Sequence, residues 1–402
     1  MYEQLAVLCV FVFLFSLVSK RLERTDYSGP MIFVASGFIM GPAVLGWFPG
    51  ENPDTLLRVL ADLTLALFLF IDAANADLPT LRKRYSIPAR MLFIGLPGAI
   101  VLGFIAAFLM FDQLTVLEAA MLATMLAATD AALGKAVVTN KAVPARLRES
   151  LNVESGLNDG LCVPILFLFI ALELGTMEGD RSGLALTLLA EELGIGLLVG
   201  LGVSGVGAWL LKVCWHRGWV SDIWVQMTTV ALALSCFALA QSLHGSGYIA
   251  AFAGGMLFGF IARDSTHKLV HPAEGIGETL ALVTWMLFGI AVVGDVLDLV
   301  TWQVVAYALV SLTAVRILPN YLALAGSGET ASSKLFLGWF GPRGLASIVF
   351  AIIVLQEGVP GGDLIALIVS CTVILSLVLH GVSANPMSRW IAKMEPPNDP
   401  TD

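Results

Sequence analysis

Apolar runs of about 17 to 25 residues recur along the whole chain, and this is the length that a helix needs to cross the hydrocarbon core of a bilayer. Hydrophobic residues make up 57% of the 402 residues and charged residues only 13%, against about a quarter in soluble domains. Because backbone N–H and C=O groups must be paired inside lipid, the pattern predicts an all-α polytopic membrane protein. Thirteen transmembrane helices are expected, with the approximate bounds 4–19, 29–47, 60–75, 90–110, 116–139, 149–173, 189–212, 221–242, 246–262, 277–294, 301–325, 335–356 and 363–384.

The basic residues predict one orientation in the membrane. The loops after even-numbered spans hold only Arg58 and Arg181 and are otherwise acidic, whereas lysine and arginine gather in the loops after odd-numbered spans. By the positive-inside rule, the N-terminus lies outside and the C-terminus is cytoplasmic, in a bacterial-type inner (plasma) membrane. The residues assigned to the cytoplasmic side are Lys20, Arg21, Arg24, Arg82, Lys83, Arg84, Arg90, Lys141, Arg146, Arg148, Lys212, Arg217, Arg263, Lys268, Lys334, Arg389 and Lys393.

Thirteen spans divide into six, one linker and six, and two halves arranged in this way face opposite sides of the membrane, as in many secondary transporters. We therefore expect a single membrane transporter domain over residues 1–402. It would consist of a first repeat (1–174), a linker helix (175–218), a second, inverted repeat (219–390) and a short cytoplasmic tail (391–402). No G-x-x-x-x-G-K-[ST] phosphate loop and no HExxH motif occurs, which argues against an ATP-driven pump and a hydrolase. Neither enzymatic activity, a cofactor nor a nucleic-acid partner is expected.

Ionisable side chains inside predicted spans are costly, so each one marks a functional candidate. Span 5 carries Thr129 and Asp130 near its middle, span 6 opens with VESGLNDG at 153–160, and span 11 carries Arg316. Each is expected to face the interior of the helix bundle or a water-filled cavity rather than lipid.

The spacing within VESGLNDG places four oxygen-bearing side chains on one face of a helix. Glu154 and Asn158 are four residues apart, and so are Ser155 and Asp159. Hard monovalent cations prefer carboxylate, hydroxyl and carboxamide oxygens, and no soft ligand accompanies them. The segment therefore predicts a binding site for a monovalent cation.

Charge counting separates the roles of these residues. Asp130, Glu154 and Asp159 supply three potential negative charges, whereas Arg316 is the only opposing charge predicted deep in the membrane. Arginine stays protonated and suits a carboxylate partner, for which Glu154 is the favoured candidate. A remaining acid must then take up a proton or a cation, and competition between the two for one carboxylate amounts to exchange. The alternative is that the set only locks helices together, but the excess of acids over bases argues against it.

The same residues carry a family likeness. The segment ATDAALGKAVVTNKAVPARLRESLNVESGLNDG resembles the fifth and sixth helices of monovalent cation:proton antiporters, the family of bacterial NhaP transporters and animal sodium/proton exchangers. The segments RLERTDYSGPMIFVASGFIMGP, SGYIAAFAGGMLFG and GWFGPRGLASIVFAIIVL are similar to other signatures of that family. The resemblance extends over nearly the whole chain.

The resemblance implies roles for individual residues. The Asp of the Asn-Asp pair, here Asp159, would alternate between proton and cation, with Ser155, Thr129 and Asp130 as companions at the ion site. A stabilising polar cluster would comprise Glu154, Asn158 and Arg316.

The resemblance also implies a fold and an assembly. Spans 5 and 12 would be unwound at mid-membrane and cross each other, and a six-helix bundle would move against the dimer interface of a homodimer. Asn158 in place of a second acid is similar to the electroneutral branch, with one cation per proton. The family usually has proline after Thr-Asp where this chain has Ala131, so the break in span 5 would depend on Thr129 and Asp130.

Three further charged residues have weaker signals. Arg343 in GPRGLAS is expected either to act electrostatically, as an ion repeller or gate, or to be an ordinary anchor on the cytoplasmic side. Lys135 is expected to extend to the cytoplasm, with pairing to Asp130 as the alternative. Asp72 near the end of span 3 is expected at the membrane interface.

The reading that accounts for most of these features is a secondary antiporter that exchanges Na⁺ or Li⁺ for H⁺ by alternating access. K⁺/H⁺ exchange is the alternative within transport, because oxygen ligands alone do not fix the size of the ion. A cation channel is a further alternative, but its continuous polar pore is not indicated, since the polar residues cluster at one depth.

Overall fold

The computed structural model describes residues 2–22, 25, 27–48, 53–75, 86–130, 133–177, 182–262 and 266–395. These residues form helices and connecting turns, and no strand occurs among them. Sixteen helical segments are present in the described ranges, so the fold is all-α as expected. Six of the helices are long and apolar enough to cross a membrane: α4, α7, α8, α11, α13 and α16 of the numbering that follows.

The helices of the first half begin near the N-terminus and end with the long helix that carries VESGLNDG. They are α1 (Tyr2–Leu22), α2 (Gly29–Met40), α3 (Pro53–Asn75), α4 (Ser86–Met110), α5 (Val116–Met125), α6 (Lys135–Val138) and α7 (Ala145–Met177). A π-helical turn interrupts α4 at Met91–Gly95.

The helices of the second half follow in the same manner. They are α8 (Ser182–His216), α9 (Asp222–Ser242), α10 (Gly247–Ile261), α11 (Thr266–Ala291), α12 (Val293–Leu299), α13 (Trp302–Ala323), α14 (Ala331–Trp339), α15 (Leu345–Gln356) and α16 (Gly362–Met394). A second π-helical turn lies in α13 at Ser311–Val315.

The helix count differs from the thirteen that were predicted. Predicted span 5 is divided into α5 and α6, predicted span 12 is divided into α14 and α15, and the short helix α12 follows α11. The second division has a local cause, because Gly341 and Pro342 interrupt the helix and Pro342 has no backbone N–H to donate. Apolar composition averages over such breaks, so it overestimates the continuity of both spans. The division into repeats and linker stays a prediction.

The helices pack as two groups. Helices α1–α3 and α8–α11 form one group, which we call the panel, and α4–α7 with α13–α16 form the second, which we call the bundle. Close packing in the panel depends on small residues: a side chain at Gly255 or Gly259 of α10 would overlap the backbone of α3 at Phe70 and Ala74. The panel and the bundle meet where α3 and α8 pack against α7.

Candidate ion site

The two interrupted helices meet inside the bundle. The backbone N–H of Asp130 donates to the carbonyl oxygen of Pro342 at 2.8 Å, which joins the segment after α5 to the segment before α15. The Ser347 hydroxyl donates to the carbonyl oxygen of Met125 at 2.8 Å, across the same crossing. Backbone groups that a continuous helix would pair internally are therefore paired between the two breaks, as burial in a membrane requires.

Opposite charges lie at the helix ends that meet there. The Asp130 carboxylate accepts from the backbone N–H of Leu345, the first residue of α15, at 3.0 Å, and from that of Leu133 at 3.2 Å. The Arg343 guanidinium donates to the carbonyl oxygens of Ala127 and Ala128, just past the end of α5, at 3.2 Å each. A carboxylate at a helix N-terminus and a guanidinium beyond a helix C-terminus both complement the helix dipole.

The Arg343 side chain is therefore buried in the crossing and not extended to the surface, with an exposed fraction of 0%. Its backbone N–H donates to the Ser376 hydroxyl at 2.7 Å. These contacts favour the electrostatic role over the anchoring role, although gating stays a prediction. Ala131, at the departure from the family pattern, lies outside the described residues.

The polar face of α7 contacts the break after α5. The Asn158 carboxamide oxygen accepts from the Thr129 backbone N–H at 3.0 Å, and its nitrogen donates to the Thr129 hydroxyl at 2.5 Å. The Thr129 and Ser155 hydroxyls are 3.1 Å apart and hydrogen-bonded. One carboxamide thus satisfies both the backbone and the side chain of Thr129, which fixes the position of the break relative to α7.

The predicted pair of Glu154 and Arg316 is present. Arg316 donates from both terminal nitrogens to the two carboxylate oxygens of Glu154, at 2.7 and 2.8 Å, and Asn158 donates to the same carboxylate at 3.3 Å. The exposed fractions of Glu154 and Arg316 are 0% and 1%, so the pair is closed to water. Bidentate geometry uses both oxygens of Glu154, which leaves this acid committed to the guanidinium.

Asp159 lies in a different environment, five residues further along α7. Its Oδ1 atom is buried and has no hydrogen-bond partner among the described residues. The residue lines a cavity of about 230 Å³ between the panel and the bundle. The cavity reaches the surface, because the exposed residues Asn75, Thr139 and Asn152 also line it.

The cavity contains carboxylates from both groups of helices. The bundle contributes Asp130 and Asp159, and the panel contributes Asp72 from α3 together with Glu274 and Glu278 from α11. Asp72, expected at the membrane interface, lies in the cavity beside Gly156, whose missing side chain leaves room for it, and its depth in the membrane stays a prediction. An acid within the apolar run LFLFIDAAN was the available signal, but its neighbour on α7 is 84 positions away in sequence.

Lys135, which was expected to extend to the cytoplasm, has a half-exposed side chain, and its ammonium group forms an ion pair with Glu278 of α11. The structure therefore brings the predicted residues together in two places. Thr129, Ser155, Asn158, Glu154 and Arg316 form one hydrogen-bonded cluster, and Asp130 and Asp159 line the cavity beside it.

A comparison with known proteins shows the family of the chain. Residues 7–390 match the family described as the transmembrane domain of sodium/hydrogen exchangers. The chain belongs to this family. It is accordingly a multi-pass membrane protein of a transporter family that moves monovalent cations and protons, not a member of an enzyme family.

Relatives and a solved structure are similar to the chain over most of its length. The K(+)/H(+) antiporter NhaP of Alkalimonas amylolytica is 25% identical over 393 residues, which is 96% of this chain and 67% of that protein. A Na(+)/H(+) antiporter of Saccharomyces cerevisiae is 27% identical over 375 residues, which is 88% of this chain and 38% of the yeast protein. The sodium proton antiporter MjNhaP1 of Methanocaldococcus jannaschii has the same fold, with a TM-score of 0.76, 20% identity and coverage of 96% of this chain and 98% of that chain.

Proposed function

We propose that this protein exchanges Na⁺ or Li⁺ for H⁺, with Asp159 as the group that holds the two in turn. The observation that carries the proposal is the contrast on α7: Glu154 has both oxygens on Arg316, whereas Asp159 lines a cavity and has one oxygen without a hydrogen-bond partner. A carboxylate with a buried oxygen that has no hydrogen-bond partner among the described residues is costly in its charged form unless a cation or a proton occupies it. It is therefore suited to take up a cation or a proton, and binding of one displaces the other.

The ligands for the cation are proposed from the same geometry. Ser155 and Thr129 offer hydroxyl oxygens next to the break, and Asp130 and Asp159 offer carboxylate oxygens at the cavity. All four are hard oxygen donors, as small alkali cations require. Asn158 is neutral and is held by Thr129 and Glu154, so it adds no further titrating charge, which supports exchange of one cation for one proton.

Alternating access is supported by the position of the cavity. It separates the panel from the bundle at one end, so a displacement of one group against the other would close it there and open a path to the opposite side. Two pairs of local irregularities support inverted repeats. The π-turns of α4 and α13 lie in predicted spans 4 and 11, and the breaks lie in predicted spans 5 and 12. Each pair is separated by seven spans, as six-span halves joined by one linker require.

The proposal extends to the setting of the protein. It would work as a homodimer in a bacterial-type inner membrane, with the N-terminus outside and the C-terminus cytoplasmic. The cavity would then open to the cytoplasm, because Asn75 and Thr139, which line it, directly precede the loops that are predicted to be cytoplasmic after spans 3 and 5.

K⁺/H⁺ exchange is a second candidate for one specific reason. Relatives that match 96–98% of this chain, from Alkalimonas amylolytica and from Shewanella, are named K(+)/H(+) antiporters. The hydroxyl and carboxylate oxygens of this site are compatible with either ion, because such ligands suit both Na⁺ and K⁺.

Ion titration of reconstituted protein would test the proposal. Proteoliposomes with an internal pH dye and an imposed pH gradient would receive Na⁺, Li⁺ or K⁺ at several pH values. We expect Na⁺ and Li⁺ to dissipate the gradient in a saturable manner, at a rate that does not change when the membrane potential is clamped. A response to K⁺ alone would replace the proposal with K⁺/H⁺ exchange, and no response to any of the three ions would contradict it.

A further inference from the structure

The Lys135–Glu278 ion pair connects the two groups of helices. Lys135 is the first residue of α6 in the bundle, and Glu278 lies on α11 in the panel. Both residues line the cavity that separates these groups, and their side chains are 54% and 43% exposed. The pair therefore bridges the mouth of the cavity and is accessible to water.

The bundle end of this bridge is coupled directly to the ion site. The Asp130 carbonyl oxygen accepts from the Gly134 N–H at 3.3 Å, and the Asp130 carboxylate accepts from the Leu133 N–H at 3.2 Å. The same carboxylate also accepts from the Leu345 N–H at 3.0 Å. Lys135 thus follows a turn that is held by Asp130, so a displacement of Asp130 with its ion is transmitted to the ammonium group.

Among the acids of the panel that line the cavity, Glu278 is the one with which Lys135 forms an ion pair. The neighbouring acid, Glu274, already accepts from the Asn75 carboxamide at 2.9 Å and contacts His271 at 3.1 Å. The other ion pairs described here stay within one group of helices. Arg58 and Asp62 are both on α3, and Arg146 with Glu329 is within the bundle.

We propose that the Lys135–Glu278 pair is a tether that favours the conformation in which the cavity is open, and that it is released when the bundle moves against the panel. This inference rests on alternating access as proposed above. An interaction made in one conformation and lost in the other shifts the equilibrium by its own free energy. Exposed pairs are weak, so this tether shifts the equilibrium by up to about fivefold, which keeps it reversible on every transport cycle.

The test measures the conformation without measuring transport. Asn152→Cys places a thiol on the cavity wall, in a background where the non-buried Cys9 and Cys214 are changed to serine. The rate of labelling by a membrane-impermeant maleimide then reports how often the cavity is open. We expect K135Q and E278Q each to slow labelling by up to about fivefold, and the charge swap K135E with E278K to restore the rate.

The matched control is R58Q, which removes an ion pair within the panel whose basic partner has similar exposure, with Arg58 50% exposed and 3.9 Å from Asp62. Labelling in R58Q should equal that of the parent. Unchanged labelling in K135Q, or a swap that fails to restore the rate, would overturn the tether. The labelling rate does not depend on transport. If the reconstituted protein moved no ions, that result would contradict the proposed function, and the labelling rates would still show whether the ion pair favours the open cavity.

Discussion

Two carboxylates on α7, separated by little more than one helical turn, have opposite surroundings. Glu154 is closed to water and has two charge-assisted hydrogen bonds to Arg316. Asp159 faces a cavity and has an oxygen atom without a partner in the described chain. Residue type and depth are similar, so the difference arises from the partner that each acid has. The comparison indicates that one acid stabilises the bundle while the other remains available for an ion.

Neutralising Asp159 is expected to have the largest effect on transport of all the variants. Asp159→Asn should reduce cation-dependent proton movement in proteoliposomes to the level of empty vesicles, because a carboxamide cannot exchange a proton for a cation. The melting temperature in detergent should be retained, since Asn has nearly the same volume and carries no charge. Asp298→Asn, which changes an exposed carboxylate on α12, is the control and should exchange ions like the parent. Substantial residual exchange in the Asp159 variant would remove this residue from the central role.

Changes to the Glu154–Arg316 pair should have the opposite result from changes to Asp159: the protein should lose stability before it loses ion binding. Arg316→Ala leaves Glu154 as an uncompensated buried charge, which costs about 3–5 kcal/mol of unfolding free energy. Thermal melting in detergent would measure the loss, and Arg389→Ala, an exposed arginine on α16, should change it by less than about 0.5 kcal/mol.

A double variant tests whether the loss of stability arises from the unpaired charge of Glu154. Glu154→Leu combined with Arg316→Met removes both charges, and buried pairs replaced by apolar residues are often no less stable. We therefore expect the double variant to melt above Arg316→Ala. Equal or lower melting would mean that the pair is not the source of the stability.

Ser155 should give the smallest effect, on affinity alone. Ser155→Ala removes one oxygen next to Thr129, and a neutral hydrogen-bonding group is worth about 1 kcal/mol, or roughly fivefold in the apparent KM for the cation. Ser150→Ala is the matched control, because the Ser150 hydroxyl donates to the backbone carbonyl oxygen of Arg146 on the same helix. A change in KM of the same size in both variants would assign the effect to α7 in general.

Much of the site could be predicted from the sequence, because a charged residue within an apolar run can be recognised from its immediate neighbours in the sequence. Glu154, Asn158, Asp159 and Arg316 stand out from their apolar neighbours, and spacing by four residues places the first two on one face. The need to neutralise one acid then singles out the arginine as its partner, 162 residues away.

The rest depends on tertiary contacts that no local pattern encodes. Asp72 lies in the cavity because α3 packs against α7 at Gly156, and Lys135 finds Glu278 across 143 positions of sequence. The breaks in two spans were implied only by the family resemblance, because hydropathy reports side chains and not the pairing of the backbone. For the same reason the described chain has sixteen helical segments where thirteen spans were predicted: two of the extra segments come from these breaks, and the third is the short helix α12.

The pairing of Glu154 with Arg316 has a consequence for how the chain is made. A ribosome delivers α7 to the membrane well before α13, so Glu154 enters the bilayer long before the guanidinium that neutralises it exists. In that interval the acid has no guanidinium partner, and burying its charge without one is costly. The N-terminal half released alone would retain this unpaired acid, so it should be a substrate for quality-control proteolysis, and the buried ion pair forms only when the eleventh span arrives.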